Sequence, residues 1–159
     1  MGRELRGDRE LFERMSLEAF QSGLSWAIIL RKREHFREAF ADFDPAVVAE
    51  FGEVEVARLL GDAGIVRNRL KIEATISNAR TLLELDESFS DLLWSFAPPP
   101  SPAPTSYSEV PATTPESIAM AKGLKQRGFR FFGPTTAYAL MQATGMVNDH
   151  LADCVARNP

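Results

Sequence analysis

The stretch from Ala97 to Thr114, APPPSPAPTSYSEVPATT, restricts the fold more than any other part of the chain. It contains six of the ten prolines, and proline lacks the backbone N–H group that a helix interior or a central strand needs. We therefore predict an extended surface loop over residues 97–114. Its simplest role is to connect the segments on either side.

The segments on both sides of this loop have the apolar spacing of amphipathic helices. In DAGIVRNRLKIEATISNARTLLEL, apolar residues recur every three or four positions and form one stripe: Ile72, Ile76, Ala79 and Leu83. The chain has no internal repeat and no convincing stretch in which apolar and polar residues alternate as in a β-strand. We predict an all-α fold with a single domain over residues 1–159.

Local start signals divide the chain into helices. Two of them pair a capping side chain with proline at the first helical position, namely Asp44-Pro45 and Thr114-Pro115. Asp8 and Ser25 are predicted to cap two further helices in the first part of the chain.

Composition and charge limit the cellular compartments and the binding partners that we expect for this protein. The start, MGRELRGDRELFERM, is charged, so we expect no signal peptide, and no apolar run approaches the roughly 20 residues that span a bilayer. The single cysteine excludes an intramolecular disulfide, so we expect a cytoplasmic protein without membrane contact. The net charge of −4 argues weakly against a general nucleic-acid binder, although a local basic patch can bind phosphate on an acidic protein.

The segment LEAFQSGLSW, residues 17–26, contains the first candidate site residues. Glu18 lies on the apolar helix face that Leu11 and Met15 define, where a carboxylate is costly unless it is paired or hydrogen-bonded. Glu18 either pairs with an arginine or caps a neighbouring helix, or it points into a pocket as a hydrogen-bond acceptor. Trp26 follows a Gly-Leu-Ser turn and either belongs to the core or lines the same pocket with its flat π surface.

A second candidate site is GFRFFGPTTAYAL, residues 128–140. A glycine turn that leads into a helix exposes unpaired backbone N–H groups, which form an anion site together with the helix dipole. The helix start comprises Gly133, Pro134, Thr135 and Thr136. Basic residues precede it at Lys122, Lys125, Arg127 and Arg130. The arrangement resembles a helix-hairpin-helix element that holds a DNA phosphate, and the alternative is a simple turn after a solvated basic helix.

Another basic group occurs in AGIVRNRLK, where Arg67, Arg69 and Lys71 follow a predicted turn. The simplest interpretation is a solvated charge cluster. The alternative is a second contact with DNA phosphate.

The segment NDHLADC contains a candidate metal-binding pair. His150 and Cys154 are four residues apart, so on a helix they would share a face and could bind one zinc ion. A structural zinc site takes four ligands, whereas the chain has one cysteine and two histidines, the other being His35. The pair is therefore either half of a site that this chain cannot complete, or two ordinary residues of a short terminal helix.

Taken in order, these segments resemble the bacterial DNA-3-methyladenine glycosylase I family. The resemblance runs from about Asp8 to Cys154 and depends on LEAFQSGLSW, FDPAVVA, AGIVRNRLKI, NAR, LLWSF and KQRGFRFFGPTTAYALMQATGMVNDH. It implies an all-helical helix-hairpin-helix glycosylase fold. It also implies a DNA-repair enzyme that excises 3-methyladenine from alkylated DNA.

The resemblance implies roles for individual residues. Glu18 would hydrogen-bond the flipped base and act in catalysis, Trp26 would stack on the base, and Leu24 would probe the gap in the duplex. His150 and Cys154 would be two of the four ligands of a structural zinc. The hairpin that holds DNA phosphate would comprise Gly133, Pro134, Thr135 and Thr136, with Arg130 beside it.

The resemblance breaks down at the N-terminus. Family members begin with a segment that carries a further cysteine, a Tyr-His-Asp stretch and a Glu-Trp-Gly, and this sequence has no counterpart before Met1. We therefore expect a shortened chain, or a start codon assigned too late. We also expect the zinc site to be incomplete or absent in this chain.

The chemistry of the lesion agrees with these roles. Methylation at N3 makes adenine cationic and weakens the glycosidic bond, so the base departs with little help from a general acid. A carboxylate and a tryptophan face both suit a cationic base. The expected partner is double-stranded alkylated DNA, bound by a monomer. Two alternatives remain: a shortened paralogue that binds DNA without catalysis, and a helical protein-interaction domain without a DNA role.

Overall fold

The computed structural model describes residues 3–157, which form helices and connecting turns without any β-strand, so the all-α prediction is confirmed. Within this range no helix is long and apolar enough to cross a membrane. The α-helices are α1 (Asp8–Gln21), α2 (Trp26–Ala39), α3 (Pro45–Val48), α4 (Glu53–Leu60), α5 (Arg69–Leu83), α6 (Phe89–Trp94), α7 (Pro115–Gln126) and α8 (Pro134–Ala143).

Three of the four predicted caps begin helices in the structure. The side chains of Ser25, Asp44 and Thr114 each accept a hydrogen bond from a backbone N–H in the first turn of the following helix, at 3.2, 3.0 and 3.1 Å. These bonds satisfy N–H groups that have no partner inside the helix. The prediction is therefore confirmed for α2, α3 and α7.

The prediction for Asp8 is wrong. Helix α1 begins at Asp8 itself, and Gly7 is its N-cap residue. The Asp8 carboxylate instead accepts hydrogen bonds at the start of α6, from the backbone N of Ser90 (2.9 Å) and the hydroxyl of Ser88 (3.4 Å). Since the unpaired N–H groups of any helix start attract a carboxylate, Asp8 connects the starts of α1 and α6.

The proline-rich residues 97–114 connect α6 to α7. They contain one short 3-10 helix, Tyr107–Glu109. The Glu109 carboxylate accepts hydrogen bonds from the backbone N (2.6 Å) and the hydroxyl (2.9 Å) of Thr105, so this part of the loop folds onto itself. The backbone N of Ala152 donates to the carbonyl of Pro104 (3.0 Å), which ties the C-terminal segment to the loop.

Helices α1 and α2 pack against each other through phenylalanine rings. The ring centroid of Phe20 in α1 lies 4.8 Å from that of Phe36 in α2 and 5.8 Å from that of Phe40 at the end of α2. Burying each such ring stabilises the fold by roughly 1.5–3 kcal/mol. Helix α8 packs against both α7 and α1, so the last helix of the chain lies beside the first.

Candidate functional site

A pocket of about 310 Å³ lies where α1, α2 and α8 meet. The structure thereby brings Glu18 and Trp26, which sequence analysis selected separately, to the same cavity. The side chains that line it are those of Arg14, Glu18, Gln21, Trp26, Leu30, Ala139, Gln142 and Ala143.

Glu18 presents a buried carboxyl group to this pocket, with 7% of its surface exposed. Burial removes water from the ionised form and raises the pKa of Glu18 to about 7, while the positive charge of Arg14 acts in the opposite direction. Near neutral pH the group is therefore present both as a carboxylate and as a neutral acid. A cation that entered the pocket would stabilise the carboxylate form.

Trp26 forms one wall of the pocket in the first turn of α2. The guanidinium carbon of Arg14 lies 5.5 Å from the centroid of the Trp26 ring, within the range of a cation–π interaction. Arg14 precedes Glu18 by four residues and lies on the same face of α1. The indole face is thus a surface at which a positive group is already held.

Sequence analysis missed three polar residues of the pocket, Arg14, Gln21 and Gln142. The spacing of Arg14 from Glu18 could have revealed it, whereas nothing in the sequence of α8 indicates that Gln142 faces α1. The side-chain N of Gln142 donates to the Asp149 carboxylate (3.0 Å), which also accepts a hydrogen bond from the hydroxyl of Tyr138. Burial and this hydrogen bond raise the pKa of Tyr138, so its hydroxyl remains the donor. Asp149 therefore connects the segment after α8 to a side chain of the pocket.

The turn of residues 22–25, between α1 and α2, places Leu24 at the surface next to the pocket. Leu24 is 37% exposed, and its backbone carbonyl accepts a hydrogen bond from the Gln21 side chain (2.7 Å). Gly23 has a φ of +81°, a conformation that glycine adopts without strain. An apolar side chain on a turn closed in this way is suited to enter a gap in a DNA duplex.

Lys71 does not belong to a solvated cluster, nor is it available as a second phosphate contact. It is 7% exposed, and its ammonium group donates to the backbone carbonyls of Phe20 (2.9 Å) and Ser22 (2.7 Å). Arg69 forms ion pairs with two glutamates, at 3.1 and 3.7 Å. Of this basic group, Arg67 and Arg69 are exposed and Lys71 is structural.

The predicted anion site is located at the start of α8. Gly133 is the N-cap residue and Pro134 is the first helical residue, so the N–H groups of Thr135 and Thr136 have no partner inside the helix. A Cβ atom added at Gly133 would meet no atom within 4 Å, so the approach to these groups is open. Arg130 is exposed on the turn that precedes the helix.

The basic residues before this turn do not act as one group. Arg127 donates to the Gly123 carbonyl (3.0 Å) and pairs with Glu87 (3.2 Å). Lys122 and Lys125 are exposed on α7. A phosphate at this turn would therefore contact the backbone of the helix start and Arg130 more directly than Arg127.

His150 and Cys154 lie in the irregular segment after α8, so the prediction of a terminal helix is wrong. Their side chains nevertheless meet, with Cys154 Sγ 3.6 Å from His150 Nδ1. Zinc bonds of about 2.3 Å to sulfur and about 2.0 Å to nitrogen, at a tetrahedral angle, place two donors about 3.6 Å apart. The pair therefore fits two positions of a zinc site. Among residues 3–157, no group of three or more side chains suited to a metal ion occurs.

Comparison with known proteins relates this chain to one family. The profile of a family described as methyladenine glycosylase matches residues 1–158. The DNA-3-methyladenine glycosylase 1 of Escherichia coli (strain K12) is 48% identical over 151 residues, which are 92% of this chain and 81% of the relative.

Two solved structures are similar in fold. A crystal structure of 3-methyladenine DNA glycosylase I has a TM-score of 0.92 at 46% identity, and the match covers 96% of this chain and 86% of that one. The 3-methyladenine DNA glycosylase I of Staphylococcus aureus, in a structure that addresses 3-methyladenine recognition, has a TM-score of 0.94 at 34% identity. That match covers 99% of this chain and 87% of the other.

Proposed function

Because this chain belongs to the methyladenine glycosylase family, we propose that its pocket receives a 3-methyladenine nucleotide flipped out of alkylated DNA. The enzyme hydrolyses the N-glycosidic bond of that nucleotide, releases the free base and leaves an abasic site. The observation that carries the assignment of the pocket is a buried carboxyl group with a pKa of about 7 beside an indole face.

The properties of Glu18 and Trp26 suit a base that carries a positive charge. N3 methylation makes adenine cationic, so the bond to the sugar is weakened and the departing base is neutral. The Glu18 carboxylate attracts the cationic base, and the Trp26 face adds a cation–π contact. Water then attacks the sugar carbon. Neutral adenine gains little from either group, so the pocket favours the lesion.

The surface next to the pocket supports the contacts with DNA. Leu24 would fill the space that the flipped nucleotide leaves in the stack. The N–H groups of Thr135 and Thr136, with Arg130, would hold a backbone phosphate. A probing leucine has a use only where a base leaves a stack, so duplex DNA is the proposed substrate. Equal rates on single-stranded and duplex DNA would contradict this part of the proposal.

We further propose that His150 and Cys154 are two ligands of a structural zinc site that residues 1–159 alone do not complete. When bound, the metal would hold the segment after α8 in place and supply no chemistry to the base. The support is the donor distance of 3.6 Å. Because the sequence contains one cysteine and His35 as its only other histidine, we expect residues 1–159 to retain less than one zinc per chain after gel filtration. Metal analysis that finds one tightly bound zinc per chain would contradict this expectation.

The direct test measures release of free 3-methyladenine from methylated duplex DNA. We expect Glu18→Gln to lower the rate of release at least about tenfold, because the amide keeps the shape of the carboxyl group but loses its negative charge. Glu10→Gln is the matched control, since Glu10 is an exposed carboxyl group on the same helix, and its rate should equal that of the unmodified protein.

The outcomes separate the competing functions. If Glu18→Gln releases the base as fast as the unmodified protein, the role assigned to Glu18 is wrong. If the unmodified protein releases no base but binds duplex DNA with salt-dependent affinity, the non-catalytic DNA-binding alternative is correct. If it neither releases base nor binds DNA, a protein-interaction domain is the better interpretation.

A further inference from the structure

Helix α5 contacts both segments that are proposed to face DNA, the turn of residues 22–25 and the turn of residues 130–133. Two buried polar side chains of α5 make these contacts, Lys71 and Asn78, with 7% and 5% of their surface exposed. They are seven residues apart, which is about two helical turns, so they lie on the same face of α5. Burying a polar group costs free energy unless its hydrogen bonds are made, so their partners indicate what they hold.

The ammonium group of Lys71 joins the two segments. It donates to the Phe20 carbonyl (2.9 Å) in the last turn of α1 and to the Ser22 carbonyl (2.7 Å) in the turn that carries Leu24. The same nitrogen lies 5.8 Å from the centroid of the Phe131 ring in the second turn. One buried charge thus contacts the last turn of α1, the Leu24 turn and the turn before α8.

Asn78 fixes the second turn through both backbone groups of one residue. Its side-chain oxygen accepts a hydrogen bond from Arg130 N (2.7 Å), and its side-chain nitrogen donates to the Arg130 carbonyl (3.0 Å). The next residue, Phe131, has a φ of +60°, which is uncommon for a residue with a Cβ atom. The two bonds from Asn78 therefore stabilise a strained turn at the position that places Arg130 and the start of α8.

We propose that Lys71 and Asn78 are positioning residues for DNA engagement, which hold the Leu24 turn and the Arg130 turn at a fixed separation so that one duplex contacts both. The inference rests on the proposed function, because this separation matters only if DNA is the substrate. A small misplacement of groups far from the reacting bond can reduce an enzymatic rate about 100-fold. Neither side chain lines the pocket, so we expect binding of the free base not to depend on them.

The experiment compares two quantities in Lys71→Met and in Asn78→Leu. The affinity for free 3-methyladenine reports on the pocket alone, and the KM for excision from methylated duplex DNA reports on DNA engagement as well. We expect the free-base affinity to stay within about twofold of the unmodified value. We expect KM to rise at least about tenfold in each variant, because either turn would leave the position at which the duplex contacts it.

Arg80→Met is the matched control. Arg80 lies on the same helix, and its guanidinium group donates to two backbone carbonyls, those of Ala49 and Phe51, both at 2.8 Å. Like Lys71→Met, the substitution removes a cation and two hydrogen bonds to backbone carbonyls. The hydrogen bonds of Arg80, however, hold the segment after α3 and neither of the two turns. At a temperature at which all variants are folded, we expect its KM and free-base affinity to be unchanged.

Two results would overturn the proposal. One is an unchanged KM in both variants, and the other is a parallel loss of free-base affinity and DNA affinity, which would indicate a general structural role. If Lys71→Met does not fold, Lys71→Gln replaces it in the same two measurements, because its side-chain amide still donates to a carbonyl. Asn78→Leu tests the turn of residues 130–133 separately. If the unmodified protein releases no base, the proposed function fails on its own. Fluorescence anisotropy with a duplex that contains an abasic site then still compares DNA binding between the variants.

Discussion

At the residue scale, the proposed roles of Glu18 and Trp26 imply a pocket that selects for charge more than for shape. A cationic base gains from the carboxylate and from the indole face together, whereas a neutral base gains little from either. The guanidinium group of Arg14, 5.5 Å from the centroid of the indole ring, shows that the pocket accommodates a positive group. A cationic base must compete with Arg14 for this face. We therefore expect the pocket to discriminate through the charge that methylation adds to adenine.

The raised pKa of Glu18 predicts a pH-dependent stability. The value in the folded protein is about 7, compared with an ordinary value of 4.5, so the folded state binds more protons than the unfolded state between these limits. The stability that Glu18 contributes is fully present below pH 4.5 and is lost as the pH rises through 7. The shift corresponds to about 3 kcal/mol at most.

Urea unfolding of the unmodified protein and of Glu18→Gln at pH 5 and pH 8 checks this prediction. We subtract the free energy of unfolding of the variant from that of the unmodified protein, and we expect the difference to decrease from pH 5 to pH 8. Groups that titrate in both proteins cancel in this difference. A constant difference for Glu18→Gln would contradict the raised pKa.

At the element scale, the sequence predicted the helices that have local start signals. Ser25, Asp44 and Thr114 are capping residues whose partners lie two or three positions ahead, so sequence spacing is sufficient. Asp8 was assigned wrongly because its partner Ser90 is 82 positions away. Lys71 was assigned wrongly for the same physical reason, because its carbonyl partners belong to α1 and to the turn that follows it.

Some residues of the candidate site can likewise be recognised from the local sequence, and others cannot. Glu18 is recognisable because a carboxylate interrupts an apolar helix face, and the start of α8 is recognisable because glycine and proline mark it. Gln142 and Asn78 have no such local signal. Their importance depends on which helix they face in the folded protein, and a single sequence does not contain that information.

The start of α8 supplies a prediction about DNA affinity. Gly133 has a φ of −99° and a ψ of 179°, an extended conformation that alanine also adopts, and a Cβ atom would meet nothing within 4 Å. Gly133→Ala should therefore change the free energy of unfolding by less than about 0.5 kcal/mol. The added methyl group would occupy the space where a phosphate approaches the N–H groups of the helix start. We expect duplex affinity to fall about tenfold, with free 3-methyladenine affinity unchanged.

Fluorescence anisotropy with duplex DNA and a binding titration with the free base provide the two affinities. Gly61→Ala is a suitable control, because Gly61 follows α4 and its added Cβ atom would make only ordinary contacts, at 3.5 and 3.7 Å. Gly61→Ala should leave both affinities unchanged. If Gly133→Ala binds duplex DNA as tightly as the unmodified protein, phosphate does not approach the helix start.

At the scale of the whole molecule, the pocket depends on distant parts of the chain. Helices α1 and α2 supply Glu18 and Trp26, while α8 follows the proline-rich residues 97–114 and supplies the opposite wall. The N-terminal segment is fixed to the same region, since Leu5 N donates to the Thr144 carbonyl (3.1 Å) directly after α8. A change that loosens the packing of α8 on α1 would therefore disturb the pocket and the turn before α8 together.

The net charge of −4 means that the molecule as a whole repels DNA, so binding must depend on a few local groups. Each phosphate contact releases condensed counterions, and the logarithm of the binding constant falls with the logarithm of the salt concentration by about 0.9 per contact. Arg130 is exposed on the turn before α8, whereas Arg127, three residues earlier, is paired with Glu87 at 3.2 Å. We expect Arg130→Gln to reduce the magnitude of the salt slope by about 1, and Arg127→Gln to leave it nearly unchanged.

Anisotropy titrations with an undamaged duplex over a range of salt concentrations measure this slope. The two substitutions each remove one positive charge, at positions three residues apart. A long-range effect of net charge would therefore change both salt slopes equally. Such an equal change would contradict the local phosphate contact. A reduced slope in Arg130→Gln alone would show that this acidic protein binds DNA through a contact at the start of α8.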